Sequence, residues 1–478
     1  MRLVSVILIL LSFVLFPCRA FPDNESNINK INKIDLLQDE KSSRIVITLV
    51  KLIDKLPVAM ATLETVSFDL DALLGPQLSS LSPISSDGFV TKVQLFPETS
   101  KTSFEIKRQY YSPVNFIKQE KPPALVVELP RKYFNKESWD LKPGIVKHLI
   151  RTVNDRGPVV ANVLEIDLLN DNISVKVGLP DKNKVKLKEK LSDIVKNEMA
   201  FAGINANYFD VKVGNPLGTL ISEGKWIVGP IYDRVAIGFS KDKKSYIDQV
   251  KLTGEVTAYK GFRKKPDLMF ELSALNTPLP LFKGVGLFDS RWDREFILGE
   301  NKIALIVRNN KVKKIKSESV EIPEDGFVLA GDKDGILNKV KKRNLLMISW
   351  NIDPDWSNVI EAVSGGPYLI MNGQLYVDDL SQKFKFAKKE TYAPRSAIGI
   401  GKDGKLYLIT VNGRNKGYSV GLTLKELAGF LEKLNLRDAI NLDGGGSTTL
   451  VADGKILNYL SEHHERKIST GLLIFYKD

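Results

Sequence analysis

The sequence predicts an α+β protein, with a mixed-sheet domain over residues 159–478 preceded by a small, mostly β domain over 44–133. Short β-branched runs broken by Pro, Gly and Ser dominate the first part. Phe89-Val90-Thr91-Lys92-Val93-Gln94-Leu95-Phe96 and Ala124-Leu125-Val126-Val127-Glu128-Leu129-Pro130 are its strand candidates. In the second part, helical spacing at Leu187, Leu191, Ile194, Val195 and Met199 runs straight into the strand-like Phe201-Ala202-Gly203-Ile204-Asn205. A clearer helix starts at Thr423, where Glu426 three residues on completes a capping box. Leu424, Leu427, Ala428, Leu431 and Leu434 form its apolar stripe, and Asn435 ends it. Hairpin turns are expected at Asp403-Gly404 and Asp453-Gly454, and no short-period repeat is evident.

Residues 1–20 read as a secretory signal peptide. Met1-Arg2 supplies the positive start, Leu3 to Phe16 the apolar run, and Cys18-Arg19-Ala20 a small-residue cleavage site. No later segment is long and apolar enough to cross a bilayer, so a secreted, periplasmic or envelope location is expected without a transmembrane helix in the mature chain. Residues 21–43, rich in Asn and Lys, are expected to be a disordered leader, and 134–158, broken by Pro143-Gly144, a linker.

Composition narrows the chemistry. The 478 residues are 43% hydrophobic, which suits two or three domains standing on their own cores. Cys18 is the only cysteine, so the mature chain has no disulfide and no thiol nucleophile. The histidines are His148, His463 and His464, and the adjacent pair cannot bind zinc from one helix face. No metal or other cofactor is therefore expected. Net charge is +12, falling by two when Arg2 and Arg19 leave with the signal. The excess is lysine without interleaved aromatics, which argues against nucleic acid; export points instead to anionic wall polymers or membrane surfaces.

The most informative stretch is Ala439-Ile440-Asn441-Leu442-Asp443-Gly444-Gly445-Gly446-Ser447-Thr448-Thr449-Leu450-Val451. An apolar run delivers one carboxylate, Asp443, onto three glycines before a second β-branched run begins. Glycine is entropically costly to fix, so Gly444, Gly445 and Gly446 suggest that something lies directly against the backbone, with amides forming an anion-binding nest. A tight turn between strands is the alternative. The triple glycine lacks the Gly-Lys-Ser/Thr of a phosphate-binding loop for nucleotides, and Ser447 lacks a Gly-x-Ser-x-Gly setting.

Further marked segments recur in order: Gly203-Ile204-Asn205-Ala206-Asn207-Tyr208-Phe209, Asn215-Pro216-Leu217-Gly218, Gly365-Gly366-Pro367, Ala393-Pro394-Arg395-Ser396-Ala397-Ile398-Gly399, Val411-Asn412-Gly413-Arg414 and Glu465-Arg466. Together with the Asp443 block, they resemble the phosphodiester glycosidase family from about Val159 to Asp478. The resemblance implies hydrolysis of a sugar joined through its anomeric carbon to a phosphodiester, with a sugar-phosphate or glycopolymer as substrate. One departure is Asn412, where the family has an aspartate. If that carboxylate were essential, the chain would be a non-catalytic wall- or glycan-binding protein reusing the pocket. The 44–133 segment, ending in Val-Glu-Leu-Pro, resembles an AMIN domain, which implies possible contact with peptidoglycan.

Residue chemistry fits the hydrolytic class. A phosphate monoester leaves already anionic and needs little protonation, so one carboxylate with positive charge can suffice where ordinary glycosidases use two. Asp443 is then the nucleophile or the base toward water. Arg395, Arg414 and Arg466 are candidates to grip phosphate, since guanidinium forks match its oxygens. Glu465 is a general acid or the partner of Arg466. Asn205 and Asn412 are candidates to bind sugar hydroxyls or orient water, or are turn amides. Ser447 is a donor to phosphate.

Overall fold

Alternation of buried and exposed side chains builds most of this chain into sheets. A computed structural model describes residues 28–78, 87–260, 265–377, 382–384 and 391–477. The expected signal peptide and Cys18 lie outside the described residues. The protein is sheet-rich, with 51% strand and 7% helix. That corrects the balance implied by α+β: among the described residues only two short α-helices occur, α1 (Leu191–Asn197) and α2 (Leu424–Glu432). None of the described helices is long and apolar enough to cross a membrane.

The chain divides into two compact units. The first runs to Gln109 and resumes over Val114–Pro130. Its five-stranded sheet has the order Ala72–Leu74, Asn29–Gln38, Ser42–Leu49, Ala124–Pro130, Asn115–Gln119, and a four-stranded sheet has the order Met60–Ala61, Thr65–Leu70, Thr102–Arg108, Val90–Pro97. Phe68 stacks on Phe104 at 4.8 Å in its core. The expectation of a disordered leader over 21–43 is corrected within the described part. Asn29–Gln38 is a strand paired antiparallel with Ser42–Leu49, and Ile31 and Ile34 are buried. A register shift between Ile31 and Lys33 breaks the two-residue period that would have announced it.

The second unit holds 110–113 and everything from Arg131 onward. The expected linker over 134–158 is also corrected. Phe134–Lys142 and Ile145–Asn154 form a hairpin, and the latter pairs with Gly157–Ile166. Pro143-Gly144 is its turn, with Gly144 at φ +82°.

Within this unit the chain uses one topology twice. The first set is β1 (Leu220–Ser222), β2 (Lys225–Val228), β3 (Val235–Ser240), β4 (Ser245–Gln249) and β5 (Val359–Ser364), in the sheet order β2-β1-β5-β3-β4. The second is β6 (Tyr368–Met371), β7 (Gln374–Leu375), β8 (Arg395–Gly401), β9 (Leu406–Val411) and β10 (Leu436–Asn441), in the order β7-β6-β10-β8-β9. Register agrees in detail. Ala236 pairs with Asp248 and Ser364 as Ala397 pairs with Ile409 and Asn441. Register shifts fall at equivalent places, Phe239/Ser240 and Ile400/Gly401. Side chains follow suit: Glu361 accepts the Glu223 amide at the β1–β2 turn (3.0 Å), and Asp438 accepts the Asn372 amide at the β6–β7 turn (2.9 Å). Even the sequence repeats, with Arg234-Val235-Ala236-Ile237-Gly238 matched by Arg395-Ser396-Ala397-Ile398-Gly399. The domain is an internal duplication.

The halves differ in what they insert. Between β9 and β10 lies α2, whose Thr423–Glu426 capping box is formed as expected and whose Leu427, Ala428 and Leu431 are buried. Between β4 and β5 lies an entire eight-stranded sheet, opened by Lys251–Tyr259 and closed by Leu345–Asp353. The duplicated sheets share one core, including Val235, Ile237, Val363, Ile398, Ile400 and Ile440. A further sheet carrying Ala202–Asn205 and Leu450–Ala452 brings two more segments to the same end.

Glu361 is buried and also accepts the Val177 amide at 2.8 Å, so Glu361→Ala leaves two buried N–H groups unpaired. Urea denaturation should show a loss of about 1–3 kcal/mol, with Glu361→Gln milder.

Candidate active site

The duplicated halves meet where their last strands end. Gly365 donates its amide to the Val235 carbonyl (3.0 Å) and Leu442 donates to Ser396 (2.8 Å), which are equivalent bonds in the two halves. Gly366 then donates to the Asn441 carbonyl at 2.6 Å, joining one strand end to the other. A side chain on Gly365 would run into that same carbonyl. In the first half the chain proceeds as Gly366-Pro367. In the second it proceeds to Asp443, which is the half that carries an acid.

Asp443 is fixed through its backbone. Its amide donates to the Ala206 carbonyl (3.0 Å), and its carbonyl accepts from Asn205 Nδ2. Asn205, fully buried, also accepts from the Ser396 hydroxyl (2.8 Å) and the Thr449 amide (3.0 Å) through Oδ1. Three of the four hydrogen-bonding capacities of this amide go into positioning the loop, which gives Asn205 a bracing role in place of the expected sugar contact.

The carboxyl group of Asp443 has its pKa pushed up to about 6 by burial. The nearby Ser447 hydroxyl, the Arg466 charge and the Gly444 amide oppose that rise only partly. Ser447 favours the ionised form without completing a hydrogen bond, and its hydroxyl, with those of Thr448 and Thr449, has no hydrogen-bond partner.

The glycines have different reasons from those expected. Gly445 adopts φ +63°, while Cβ atoms on Gly444 and Gly446 would meet the Pro394 carbonyl and the Glu462–Arg466 side chains. The bodies pressed against this backbone are therefore the protein's own. Three amides of the loop, those of Gly445, Ser447 and Thr448, are spent on the Pro394, Gly444 and Gly445 carbonyls, which reduces the nest expected from the sequence. Gly444, Gly445 and Gly446 give clearance to the protein's own neighbouring groups.

Glu465 is elsewhere. It is buried and accepts the Ser192 amide (2.8 Å) and hydroxyl (2.5 Å), capping α1, whose own N-cap Lys190 makes no side-chain bond. It is neither the acid nor the partner of Arg466. That partner is Glu462, which sequence reasoning missed: it accepts from Arg466 Nε (3.1 Å) and Nη2, and stands 3.8 Å from Arg414 Nη1. Its four-residue spacing from Arg466 was the available signal. Arg414, at φ +62°, lies against Gly445. Asn412 is fully buried, donates to the Tyr418 hydroxyl (3.4 Å) and accepts the Tyr459 amide (2.8 Å), so it too is scaffold.

Two more missed residues stand on the other side of the loop. The Tyr208 hydroxyl donates to the Gly366 carbonyl (3.0 Å) and accepts from Asn441 Nδ2 (2.6 Å); burial, then the Asp443 charge, holds its pKa well above the ordinary phenol value. Arg234 lies over the rings of Tyr208 (5.5 Å) and Phe384 (4.1 Å). Arg395 is held by the carbonyls of Leu422 (2.8 Å) and Thr391 (2.6 Å).

Comparison with known proteins places part of the chain in a family context. The family model described as phosphodiester glycosidase matches residues 301–475, and the resemblance read from the motifs is shown over that stretch. A stretch of 113 residues is 34% identical to N-acetylglucosamine-1-phosphodiester alpha-N-acetylglucosaminidase of Mus musculus and 35% identical to that of Homo sapiens. In each case it covers 22% of this chain and 22% of the relative, far short of the relative's whole length. The fold is similar to that of a hypothetical protein from Synechocystis, with TM-score 0.66 and 20% identity, over 94% of this chain and 81% of that one.

Because the native pKa of Asp443 exceeds its unfolded value of 3.8, its favourable contribution is present at low pH and is lost as pH rises through about 6. Asp443→Asn should therefore be more stable than wild type at pH 8, by on the order of 2 kcal/mol, with the gap closing toward pH 4. Urea melts across that range check it; a variant weaker at pH 8 would mark the carboxylate as a structural acceptor.

Proposed function

We propose that this chain is an exported hydrolase that cleaves sugar-1-phosphate diesters, within cell-wall or surface glycopolymers, while its N-terminal β unit contacts peptidoglycan. One observation carries the reading: a half-buried carboxylate with raised proton affinity, beside Arg466 and unpaired hydroxyls, in a stretch matching phosphodiester glycosidases. The signal-like start and lysine-rich composition support export and anionic surroundings.

The chemistry follows from that carboxylate. With its pKa near 6, Asp443 is mostly ionised at neutral pH yet remains a useful proton acceptor. It takes a proton from water as the water oxygen bonds to the anomeric carbon, or bonds there itself before water replaces it. The C–O bond to the phosphate breaks and its electron pair leaves with the phosphate monoester, which needs no general acid. Such a leaving group suits a site from which Glu465 is absent. Glu462 orients the Arg414 and Arg466 forks beside the glycine loop.

A non-catalytic glycan-binding role was the rival, motivated by Asn412. Both functional atoms of its amide serve Tyr418 and Tyr459, so its identity bears on the scaffold rather than on proton transfer.

Purified mature protein incubated with a panel of sugar-1-phosphodiesters should release free sugar, and in ¹⁸O water the label should appear in the sugar. Label in phosphate would mean P–O cleavage, and binding without release would favour the glycan-binding role. Asp443→Asn should lower kcat by at least about 10²-fold. In wild type, kcat should rise with pH through about 6 as that acid ionises. Glu465→Gln should leave kcat near wild type, while Glu462→Gln lowers it.

A further inference from the structure

The duplication makes Arg234 the counterpart of Arg395. Each immediately precedes or opens the first strand of its hairpin, each is followed by x-Ala-Ile-Gly, and both guanidinium groups act electrostatically on the Tyr208 phenol. Asp443 acts on the same phenol. Tyr208 in turn is hydrogen-bonded to Gly366 and Asn441, the two strand ends flanking Asp443. Arg234 lies outside the stretch matched to the family.

Among the described residues neither arginine forms an ion pair, although the Glu426 charge acts on Arg395. Arg395 spends its bonds on two main-chain carbonyls. Arg234 Nε is buried without a hydrogen-bond partner, and the group rests on aromatic rings. Burying a guanidinium without an anion is costly, and burial lowers the pKa of both groups from the ordinary value. Across the loop, by contrast, Arg414 and Arg466 already have Glu462. An incoming anion is attracted most where positive charge is least compensated, and Arg234 has no charged partner among the described residues.

Resting on the hydrolase reading, we infer that the phosphate of the substrate is received by Arg234, which lies over the Tyr208 ring, together with its counterpart Arg395, rather than by Arg414 and Arg466. The two equivalent hairpins thus supply one guanidinium each to a single anion, and Arg234 is a specificity residue for phosphate. The Glu462 side of the loop is left to the sugar.

Isothermal titration of the full mature chain with inorganic phosphate tests this. Wild type should saturate, Arg234→Gln should bind about tenfold or more weakly, and Arg414→Gln should change little. Circular dichroism and melting curves verify folding. If Arg234→Gln fails to fold, Arg234→Lys decides: it keeps the charge but loses the fork, and should bind several-fold more weakly. Wild-type affinity in a folded Arg234 variant, loss confined to Arg414→Gln, or no phosphate binding by wild type would each overturn the inference. Phosphate binding through Arg234 without cleavage of any sugar-1-phosphodiester would instead leave the anion seat standing and remove the hydrolase reading.

Discussion

The Asn205 side chain is the joint on which the candidate site hangs. One fully buried amide holds the Asp443 carbonyl, the Thr449 amide and the Ser396 hydroxyl. It thereby ties both ends of the glycine loop to the start of β8. Because each partner lies on a different segment, no local feature could have placed Asp443 so firmly. A carboxylate can be held partly out of water, with its proton affinity raised, only if its backbone cannot drift toward solvent. The polar groups nearest it serve geometry first.

The duplication explains why the site is where it is. Two identical topologies packed on one core bring equivalent strand ends together, and the first half has Gly365 where the backbones approach closest. Symmetry of this kind provides paired groups, as with Glu361 and Asp438 or Arg234 and Arg395. Chemistry then requires a break in that symmetry. The break is Asp443, which follows β10 at the place where Gly366 follows β5.

Legibility in the sequence followed the range of the interaction. The α2 helix was readable because its capping box and stripe are local, and the Asp453-Gly454 hairpin because both residues take left-handed dihedrals. The Asn29–Gln38 strand was hidden by its irregular register, and the 134–158 hairpin by a Pro-Gly pair that resembles a break. Asp443 and its loop stood out, yet the glycines were misread because their neighbours, Glu462 and Arg466, come from another segment. Glu465 was chosen over Glu462 by adjacency to Arg466, whereas contact across an irregular loop depends on direction. The repeated Arg-x-Ala-Ile-Gly was visible in the text, but at so long a separation it carried no meaning until the registers matched.

The eight-stranded insertion alters how the first half can assemble. β3 and β4 must wait for β5 across more than a hundred residues, while β8 and β9 wait only for the α2 segment. Loop closure alone makes the longer wait dearer by roughly 1 kcal/mol. Yet the insertion begins and ends on paired strands, with Lys251 opposite Asp353. Once that sheet has formed, its entry and exit lie side by side, and the remainder of the polypeptide meets it as little more than a tight reversal. A large interruption in sequence thus becomes a small one in space, which lets the two halves of a duplicated fold close on each other although only one of them is contiguous.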